Sequence, residues 1–363
     1  MSFKIIKKSG KARTGILKTK TGKYETPFFM PVATKGAPKY LEAKEIKELG
    51  GYAMISNAFL LYLRPGLKVI KKNGGIQKLM NWSGCSFTDS GGFQVLSLSK
   101  FKDKFSDDGL TFKSPYDGSL HKLNPKIVMN IEQEIGSDVA MCIDQMPLYE
   151  HTKEEVKIAT ERTHKWAKEC LKYHPDKKQL LFGICQGGTF SDLRKESAEF
   201  FSKLNFDGYG IGGLAVGEPK DKMLDMVKIA TETLPEKKPK YVMGLGSPKE
   251  IIECVELGVD IFDSVWPTRI ARHGKILSKN GSFDIDKKEY ELDLNPLEKG
   301  CKCNVCKNYT KSYLHHLYKV KEPLAMKLLS YHNLFFMQNM MKEIREAIKK
   351  NKFKELKKKY NKV

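Results

Sequence analysis

Eight short runs of apolar, β-branched and aromatic residues recur along the chain, and each ends in glycine or polar residues. Amphipathic stretches with helical spacing separate most of them, among them residues 154–171, 190–204, 220–234 and 247–258. Strands that alternate with helices pair in parallel, so eight such units predict a (β/α)₈ barrel of the α/β class. The runs are residues 26–36, 52–59, 85–92, 138–145, 180–188, 208–214, 240–248 and 259–269.

A doubly wound open sheet is the alternative arrangement of the same units. Its dinucleotide-binding form needs a Gly-x-Gly-x-x-Gly turn after the first strand, and none follows the first run here. Long inserts interrupt the pattern at residues 97–125 and around 273–300. We therefore expect residues 1–294 to form a barrel with insertions and residues 295–363 to form a helical, metal-binding extension packed on it.

The composition excludes several classes of protein. Of 363 residues, 40% are hydrophobic and 29% are charged, which is typical of a globular domain and not of a disordered chain, a collagen-like fibre or a small disulfide-stapled scaffold. No apolar run approaches the roughly 18–20 residues that cross a bilayer, and the N-terminus lacks the apolar core of a signal peptide. We expect a cytoplasmic protein with no membrane partner.

The net charge of +21 suits a polyanionic partner such as a nucleic acid, although a lysine-rich coding bias would produce the same surplus. Only seven of the 64 basic residues are arginine. Against that background, Arg269 and Arg272 indicate a need for the planar guanidinium group. Residues 342–362 hold ten Lys or Arg against three Glu, which is consistent either with contact to an RNA backbone or with a solvated helix face.

Three of the eight cysteines lie within six residues, in the pattern C-x-C-x2-C. Thiolates at this spacing can converge on one structural Zn²⁺, whereas packing alone does not explain them; reactive or redox thiols are the alternative. A tetrahedral site needs a fourth ligand from elsewhere. The cysteines are Cys301, Cys303 and Cys306, and the candidate histidines downstream are His315, His316 and His332.

Polar residues follow the apolar part of several predicted strands. In a barrel, the C-terminal ends of the strands carry the chemistry. A buried charge is costly without a partner, so an aspartate directly after an apolar strand is seldom incidental. Two carboxylates can divide the work, one as a nucleophile and one as a proton carrier. The strand-end residues are Asn57, Asp89, Asp144, Gln186, Gly212, Gly213, Gly244 and Asp263.

Five motifs resemble those of the bacterial-type tRNA-guanine transglycosylases, the queuine tRNA-ribosyltransferase family. They are DSGGFQ at 89–94, GICQGG at 183–188, IGGLAVGEP at 211–219, FDSVWPTRIARHG at 262–274 and the cysteine cluster. The resemblance covers almost the whole chain. It implies a pentosyltransferase with a (β/α)₈ barrel and a zinc subdomain, which forms a homodimer. Such an enzyme acts in queuosine biosynthesis, exchanging guanine at the anticodon wobble position of tRNA for a 7-deazaguanine.

The resemblance also implies residue roles. Asp263 would be the nucleophile that bonds to ribose, and Asp89 the general acid/base. The base would be held by Ser90, Gly91, Gly92, Phe93, Asp144, Gln186, Gly213 and Leu214, with the Phe93 ring stacked on it. RNA would be contacted by Gly244, Leu245, Gly246, Ser247, Pro248, Lys249, Glu250, Thr268, Arg269, Ile270, Ala271 and Arg272. The zinc ligands would be Cys301, Cys303, Cys306 and His332.

The sequence departs from the family pattern around the base. Phe93 stands where many bacterial members carry Tyr, and residues 144–150 replace the usual Asp-Glu-Cys-Thr-Pro with a run one residue shorter. Residues 56–66 lack the common Thr-Tyr-His after Asn57. Val216 matches bacterial members and would narrow the pocket against a cyclopentenediol. The resemblance therefore favours the aminomethyl base preQ1 over queuine as the incoming base.

Two other functions are alternatives to base exchange. A non-catalytic tRNA-binding subunit would share the fold, but both Asp89 and Asp263 lie in intact motifs, which argues against it. A zinc hydrolase needs an open coordination position, normally with histidine-rich ligands. Three thiolates outside the barrel strands instead fit a closed structural site.

Overall fold

The computed structural model describes residues 2–91, 104–174, 176 and 178–360. The strands before residue 124 belong to an N-terminal sheet, to the start of the barrel and to an inserted sheet. They are β1 (Phe3–Ser9), β2 (Ala12–Lys18), β3 (Lys23–Thr26), β4 (Phe28–Pro31), β5 (Ala53–Asn57), β6 (Cys85–Asp89), β7 (Lys104–Ser106), β8 (Gly109–Lys113) and β9 (Leu120–Leu123). The later strands are β10 (Val139–Met141), β11 (Leu180–Cys185), β12 (Gly208–Ile211), β13 (Lys240–Val242), β14 (Ile261–Ser264), β15 (Lys275–Ile276) and β16 (Phe283–Asp284).

Helices follow most of the barrel strands. Up to the last barrel strand they are α1 (Ala43–Glu48), α2 (Ala58–Leu61), α3 (Leu67–Lys72), α4 (Ile76–Leu79), α5 (Pro125–Ile135), α6 (Lys153–Tyr173), α7 (Ser191–Ser202), α8 (Lys220–Thr233) and α9 (Pro248–Glu256). The remaining helices are α10 (Trp266–Arg272), α11 (Asn304–Asn308), α12 (Lys311–Lys319), α13 (Pro323–Lys349) and α14 (Phe353–Lys359). Within the described ranges, none of these helices is both long and apolar enough to cross a membrane.

Eight parallel strands form the central sheet, in the spatial order β4–β14–β13–β12–β11–β10–β6–β5. A parallel bridge between Val32 and Ile55 joins the two ends of this order, so the sheet closes into a barrel. Each predicted run contains one of the eight strands. The predicted (β/α)₈ barrel is therefore confirmed.

Aromatic rings fill the middle of the barrel. Phe87 lies edge-on to Phe28, Phe182 and Tyr241, with ring centroids 5.8–6.1 Å apart. Side chains alternate along a strand, so Asp89 lies on the same inner face as Phe87, two residues nearer the C-terminal end. The strand pattern thus places a carboxylate directly above an apolar core.

The N-terminal end of the barrel is covered by the antiparallel sheet β1–β2–β3. The amide and hydroxyl of Thr21 donate to Asp138 Oδ1, at 3.1 and 2.7 Å, directly before β10 begins. The antiparallel sheet β7–β8–β9 is inserted after β6, and its Phe112 ring packs on Phe59 of α2 with centroids 4.7 Å apart. Because the N-terminal end is covered, the candidate active site is expected at the opposite, C-terminal end of the barrel.

The C-terminal helices pack directly on the barrel. Helix α13 has 27 residues and is therefore about 40 Å long. Its Gln338 Nε2 donates to Phe29 O at 3.1 Å, and its Arg345 Nη1 donates to Pro27 O at 2.8 Å. The helix thus runs along β4 from the C-terminal towards the N-terminal end of the barrel.

Candidate active site and metal centre

Two predicted carboxylates lie at the C-terminal ends of barrel strands. Asp89 ends β6, and its Oδ2 accepts a hydrogen bond from Asn57 Nδ2 at 3.2 Å. In β14, Asp263 Oδ1 accepts hydrogen bonds from the Tyr241 hydroxyl and from Gly244 N, the latter at 2.9 Å. Burial raises the pKa of Asp263, and both hydrogen bonds oppose the shift because they favour the ionised form. Among the described residues, nothing donates to Asp263 Oδ2.

Asp144 and Gln186 form a buried pair at the ends of β10 and β11. Gln186 Nε2 donates to Asp144 Oδ2 at 2.5 Å. Burial raises the pKa of Asp144 to about 7; the negative charge of Asp89 adds to the shift, and the Gln186 hydrogen bond opposes it. Gln186 is fully buried, and its Oε1 has no hydrogen-bond partner in the part of the chain that the structure describes. A buried acceptor without a donor is uncommon in a folded protein.

The loop after β12 passes directly over Gln186. A Cβ on Gly212 would lie 2.6 Å from Gln186 Nε2, and one on Gly213 would lie 2.4 Å from Gln186 Oε1. Gly213 also has φ +67°, a conformation that favours glycine. Only glycine therefore allows this loop to reach the Gln186 amide. The next residue, Leu214, is buried beside it.

Ser90 and Gly91 continue β6 into the mouth of the barrel. Ser90 Oγ donates to Cys142 O at 3.2 Å, which ties the end of β6 to the end of β10. Gly91 has φ +94°, and a Cβ there would lie 2.3 Å from the Phe59 Cβ. The predicted base-binding residues Gly92 and Phe93 lie outside the described residues.

A pocket opens beside Gly213, and the loop after β12 contributes Val216 and Glu218 to its lining. The Glu218 carboxylate accepts hydrogen bonds from Ala215 N at 2.5 Å and from Val216 N at 2.9 Å. Ala215 has φ +59°, which is uncommon for a residue other than glycine. Glu218 thus holds the loop that lines this pocket. It was not predicted, because no spacing in the sequence shows which amides a loop carboxylate will meet.

Arg194 is a second unpredicted residue of the site. Its guanidinium is fully buried in α7, where Nη1 donates to Cys185 O at 2.9 Å and Nη2 donates to Gly188 O at 2.8 Å. These two carbonyls flank Gln186. Burial lowers the pKa of Arg194, and the Glu218 carboxylate is among the groups that oppose this shift. Arg194 therefore holds the chain on both sides of the buried amide.

The two predicted RNA-contacting segments lie at the same end of the barrel. Gly244, Lys249 and Arg269 are exposed, and Arg272 is half-buried, with Nη1 3.4 Å from Thr268 Oγ1. Only part of each segment is thus available to a macromolecule. The buried members are Leu245, Gly246, Pro248, Thr268 and Ala271, and the half-buried ones are Ser247, Glu250 and Ile270.

The three clustered cysteines and His332 meet in one place. Their ligand atoms all lie within 4.8 Å of one another, and His332 Nδ1 lies 3.5 Å from Cys303 Sγ and 3.4 Å from Cys306 Sγ. Tetrahedral zinc would separate such donors by about 3.5–3.8 Å, given bonds of about 2.3 Å to sulfur and 2.0–2.1 Å to nitrogen. The side chains therefore fit one metal ion. His332 Nε2 contacts Leu277 O at 2.9 Å, which orients the ring.

The other two candidate histidines are not part of this cluster. His315 is buried, and its Nδ1 contacts Ile285 O at 2.7 Å. His316 is exposed on α12. The fourth candidate ligand is therefore His332, on α13.

The barrel, its strand-end carboxylates and the Cys₃His cluster agree with the comparisons with known proteins. The family profile described as queuine tRNA-ribosyltransferase matches residues 8–363. The chain therefore belongs to the queuine tRNA-ribosyltransferase family, whose members are tRNA-guanine transglycosylases and act on tRNA as pentosyltransferases.

Curated relatives cover nearly the full chain. A queuine tRNA-ribosyltransferase of Caldanaerobacter subterraneus is 46% identical over 363 residues, which is 99% of this chain and 96% of the relative. Those of Francisella tularensis subsp. novicida and Thermotoga maritima are each 46% identical over 99% of this chain, and over 98% and 97% of their own lengths.

Proposed function

We propose that this protein exchanges guanine at the anticodon wobble position of tRNA for preQ1, through a covalent bond between Asp263 and ribose C1′. The observation that carries the proposal is the environment of Asp263. Two donors hold its Oδ1 and favour the carboxylate, while its Oδ2 has no donor among the described residues. Oδ2 is therefore the oxygen available for attack.

In the first step, Asp263 Oδ2 forms a bond to C1′ as the bond from C1′ to guanine N9 breaks. The electron pair of that bond leaves with guanine, and a proton from the Asp89 carboxyl neutralises the base. In the second step the incoming base gives its N9 proton to the Asp89 carboxylate. N9 then bonds to C1′, and the Asp263 carboxylate departs. Two carboxylates thus account for every bond and proton in the exchange.

Asp144 and Gln186 would bind the edge of the base. The unpartnered Gln186 Oε1 can accept from a base N–H, and the Asp144 carboxyl, with its pKa of about 7, can donate or accept a proton. Gly213 and the backbone of Leu214 would complete the edge contacts, beside Ser90 and Gly91 at the end of β6. By the resemblance, Gly92 and Phe93 would add the stacking platform.

The resemblance supports the choice of incoming base, because Val216, which lines the pocket beside Gly213, would narrow it against a cyclopentenediol. An aminomethyl substituent adds two heavy atoms, whereas a cyclopentenediol adds a further ring. We therefore favour preQ1, and queuine inserted directly is the alternative.

Mass spectrometry of tRNA tests both parts of the proposal. The protein is incubated with guanine-34 tRNA and equal concentrations of preQ1 and queuine. We expect the mass of preQ1-tRNA to dominate. Dominance of the queuine product would overturn the choice of base. No exchange of either base, with tRNA binding retained, would indicate a non-catalytic tRNA-binding subunit.

We further propose that the metal is Zn²⁺ and that it anchors residues 295–363 on the 1–294 barrel. Three soft thiolates and one imidazole suit zinc in a closed structural site. The resemblance implies a homodimer, and the exposed Leu292 and Leu294, 87% and 76% accessible, offer apolar surface for it. Elemental analysis measures the zinc content, and light scattering of the purified protein measures the assembly.

A further inference from the structure

Three side chains from separate segments meet beside the mouth of the barrel. Lys35 follows the end of β4, Arg64 follows α2 after β5, and Tyr116 lies in the turn between β8 and β9. The Arg64 Cζ lies 4.2 Å from the centroid of the Tyr116 ring, and the Lys35 Nζ lies 5.6 Å from the same centroid. Two cations thus share one aromatic ring.

The ring stands on a fixed support. Ser114 N donates to Ser119 O at 2.8 Å across the turn that carries Tyr116. The hairpin is joined to the segment of Arg64 by a 3.0 Å contact between the Tyr62 hydroxyl and His121 Nδ1. The turn that carries Tyr116 is therefore joined to the segment that carries Arg64.

The two positive charges are not neutralised by the protein. Over the described ranges, no carboxylate lies within 4.0 Å of either cation, and both cations are exposed. The neighbouring carboxylate, Asp117, accepts hydrogen bonds from Ser119 N at 3.2 Å and from Ser119 Oγ at 2.7 Å. Like charges held together repel, and an anion would relieve that repulsion. Stacking on a ring also leaves the guanidinium edge free to bind phosphate.

The place of the cluster around the barrel suggests which anion binds. In the closed order of strands, β4 and β5 lie opposite β11 and β12, which carry Gln186 and Gly213. A nucleotide whose base enters the pocket at β11 and β12 would direct its sugar–phosphate chain to the other side. Next to β4 is β14, and the helix after it carries Arg269 and Arg272.

We propose that Lys35 and Arg64, supported by Tyr116, form a phosphate-binding site for the tRNA backbone flanking the exchanged nucleotide. This inference rests on the proposed function, because it assumes that the base enters at β11 and β12. The ligand of this site would be one phosphodiester of the backbone, or two neighbouring phosphodiesters. The site continues the basic surface of Arg269 around the rim.

Salt dependence of tRNA binding tests the site without turnover. The double variant Lys35→Gln with Arg64→Gln should weaken tRNA binding, and the slope of log K against log salt should fall by about 1.4–1.8, since each phosphate contact contributes about 0.7–0.9. The matched control is Lys352→Gln with Lys354→Gln, two exposed lysines at the start of α14. A change in slope no larger than that of the control would overturn the proposal.

Substitutions of Tyr116 distinguish a phosphate-binding site organised by the ring from two independent surface charges. Tyr116→Phe keeps the ring and should leave the salt slope at the parent value. Tyr116→Leu removes the ring, and should weaken binding more in the parent than in the Arg64→Gln background. Equal effects in both backgrounds would contradict a shared site. The KM for the free base should stay within about twofold in every variant; absence of base exchange in the parent would instead refute the proposed function.

Discussion

Asp144 is a residue of the candidate site whose protonation depends on the fold. It is 6% exposed and hydrogen-bonded to Gln186, and burial raises its pKa to about 7, with Asp89 adding to the shift. The folded state therefore holds the proton of this carboxyl more tightly than the unfolded chain, where the pKa of Asp is about 3.9. The resulting stabilisation is fully present below pH 4 and is lost as the pH rises through 7.

Asp144→Asn should therefore be more stable relative to the parent at pH 8 than at pH 5. The difference should be about 2–3 kcal/mol, because each pKa unit corresponds to about 1.4 kcal/mol. Urea unfolding of both proteins at the two pH values measures it. Parallel pH curves for the parent and the variant would show that Asp144 is ionised throughout.

Single residues were predictable where their position depends on strand pattern alone. Apolar runs precede the strand-end residues Asp89, Asp144, Gln186 and Asp263. Side chains alternate between the two faces of a strand, and this alternation places Asp89 inside the barrel. Tyr241 could not be found in this way, because a donor for a carboxylate comes from the neighbouring strand. Glu218 and Arg194 escaped prediction for a similar reason, since their partners are backbone groups rather than side chains with a recognisable spacing.

At the scale of elements, the loop after β11 is held by α7. Arg194 bridges Cys185 O and Gly188 O, and a lysine lacks the planar fork of donors that holds the two carbonyls in this geometry. Arg194→Lys should therefore raise the KM for the free base about tenfold, the equivalent of one lost hydrogen bond, with the KM for tRNA changed by less than about twofold. Steady-state kinetics with each substrate varied in turn measure the two constants.

Arg13 provides the matched control for Arg194→Lys. It is 3% exposed and donates to Lys238 O at 2.9 Å and to Asp260, near the N-terminal end of the barrel. Arg13→Lys should lower the melting temperature without changing the KM for the base. If both variants changed that KM equally, Arg194 would act only through global stability.

The metal cluster joins α11 to α13, so metal loss should loosen both helices. Cys303→Ala should release about one zinc per chain and speed hydrogen exchange in residues 295–360, because the ligands bind only when they are folded together. His332→Ala should behave in the same way, and His316→Ala should retain the metal, since that histidine is exposed. Elemental analysis showing the reverse for the two histidines would refute the ligand assignment.

The alternating pattern of strands and helices predicted the barrel because each unit carries its own periodicity. The sheets β1–β2–β3 and β7–β8–β9 were not predicted from it. They are antiparallel and lie outside the barrel order, and short exposed strands such as β9 lack the continuous apolar run of a buried one. The path of α13 along β4 likewise depends on contacts of Gln338 and Arg345 with the backbone of distant residues.

At the scale of the whole molecule, the described part of the basic run, residues 342–360, makes its ion pairs away from the strand-end carboxylates. Lys349 pairs with Glu25 at 3.1 Å, just before β4 begins, and Lys357 pairs with Glu256 at the end of α9. Both contacts are at the N-terminal end of the barrel. The structure therefore favours the interpretation of this basic run as a solvated helix face rather than an RNA contact. Changing Lys350, Lys352, Lys354 and Lys358 to Gln should leave the salt dependence of tRNA binding unchanged. A flatter slope would restore the RNA-contact interpretation of this run.

The central claim is that Asp263 bonds covalently to the ribose of tRNA. The direct measurement is a denaturing gel of the protein incubated with labelled tRNA, run for the parent and for Asp263→Asn. The amide keeps the size of the carboxyl and can still accept from Tyr241 and Gly244, so the variant should fold and bind tRNA. We predict a covalent protein–tRNA band for the parent and none for the variant, together with loss of guanine exchange. A covalent band in Asp263→Asn, or exchange at near-parent rate, would contradict the account.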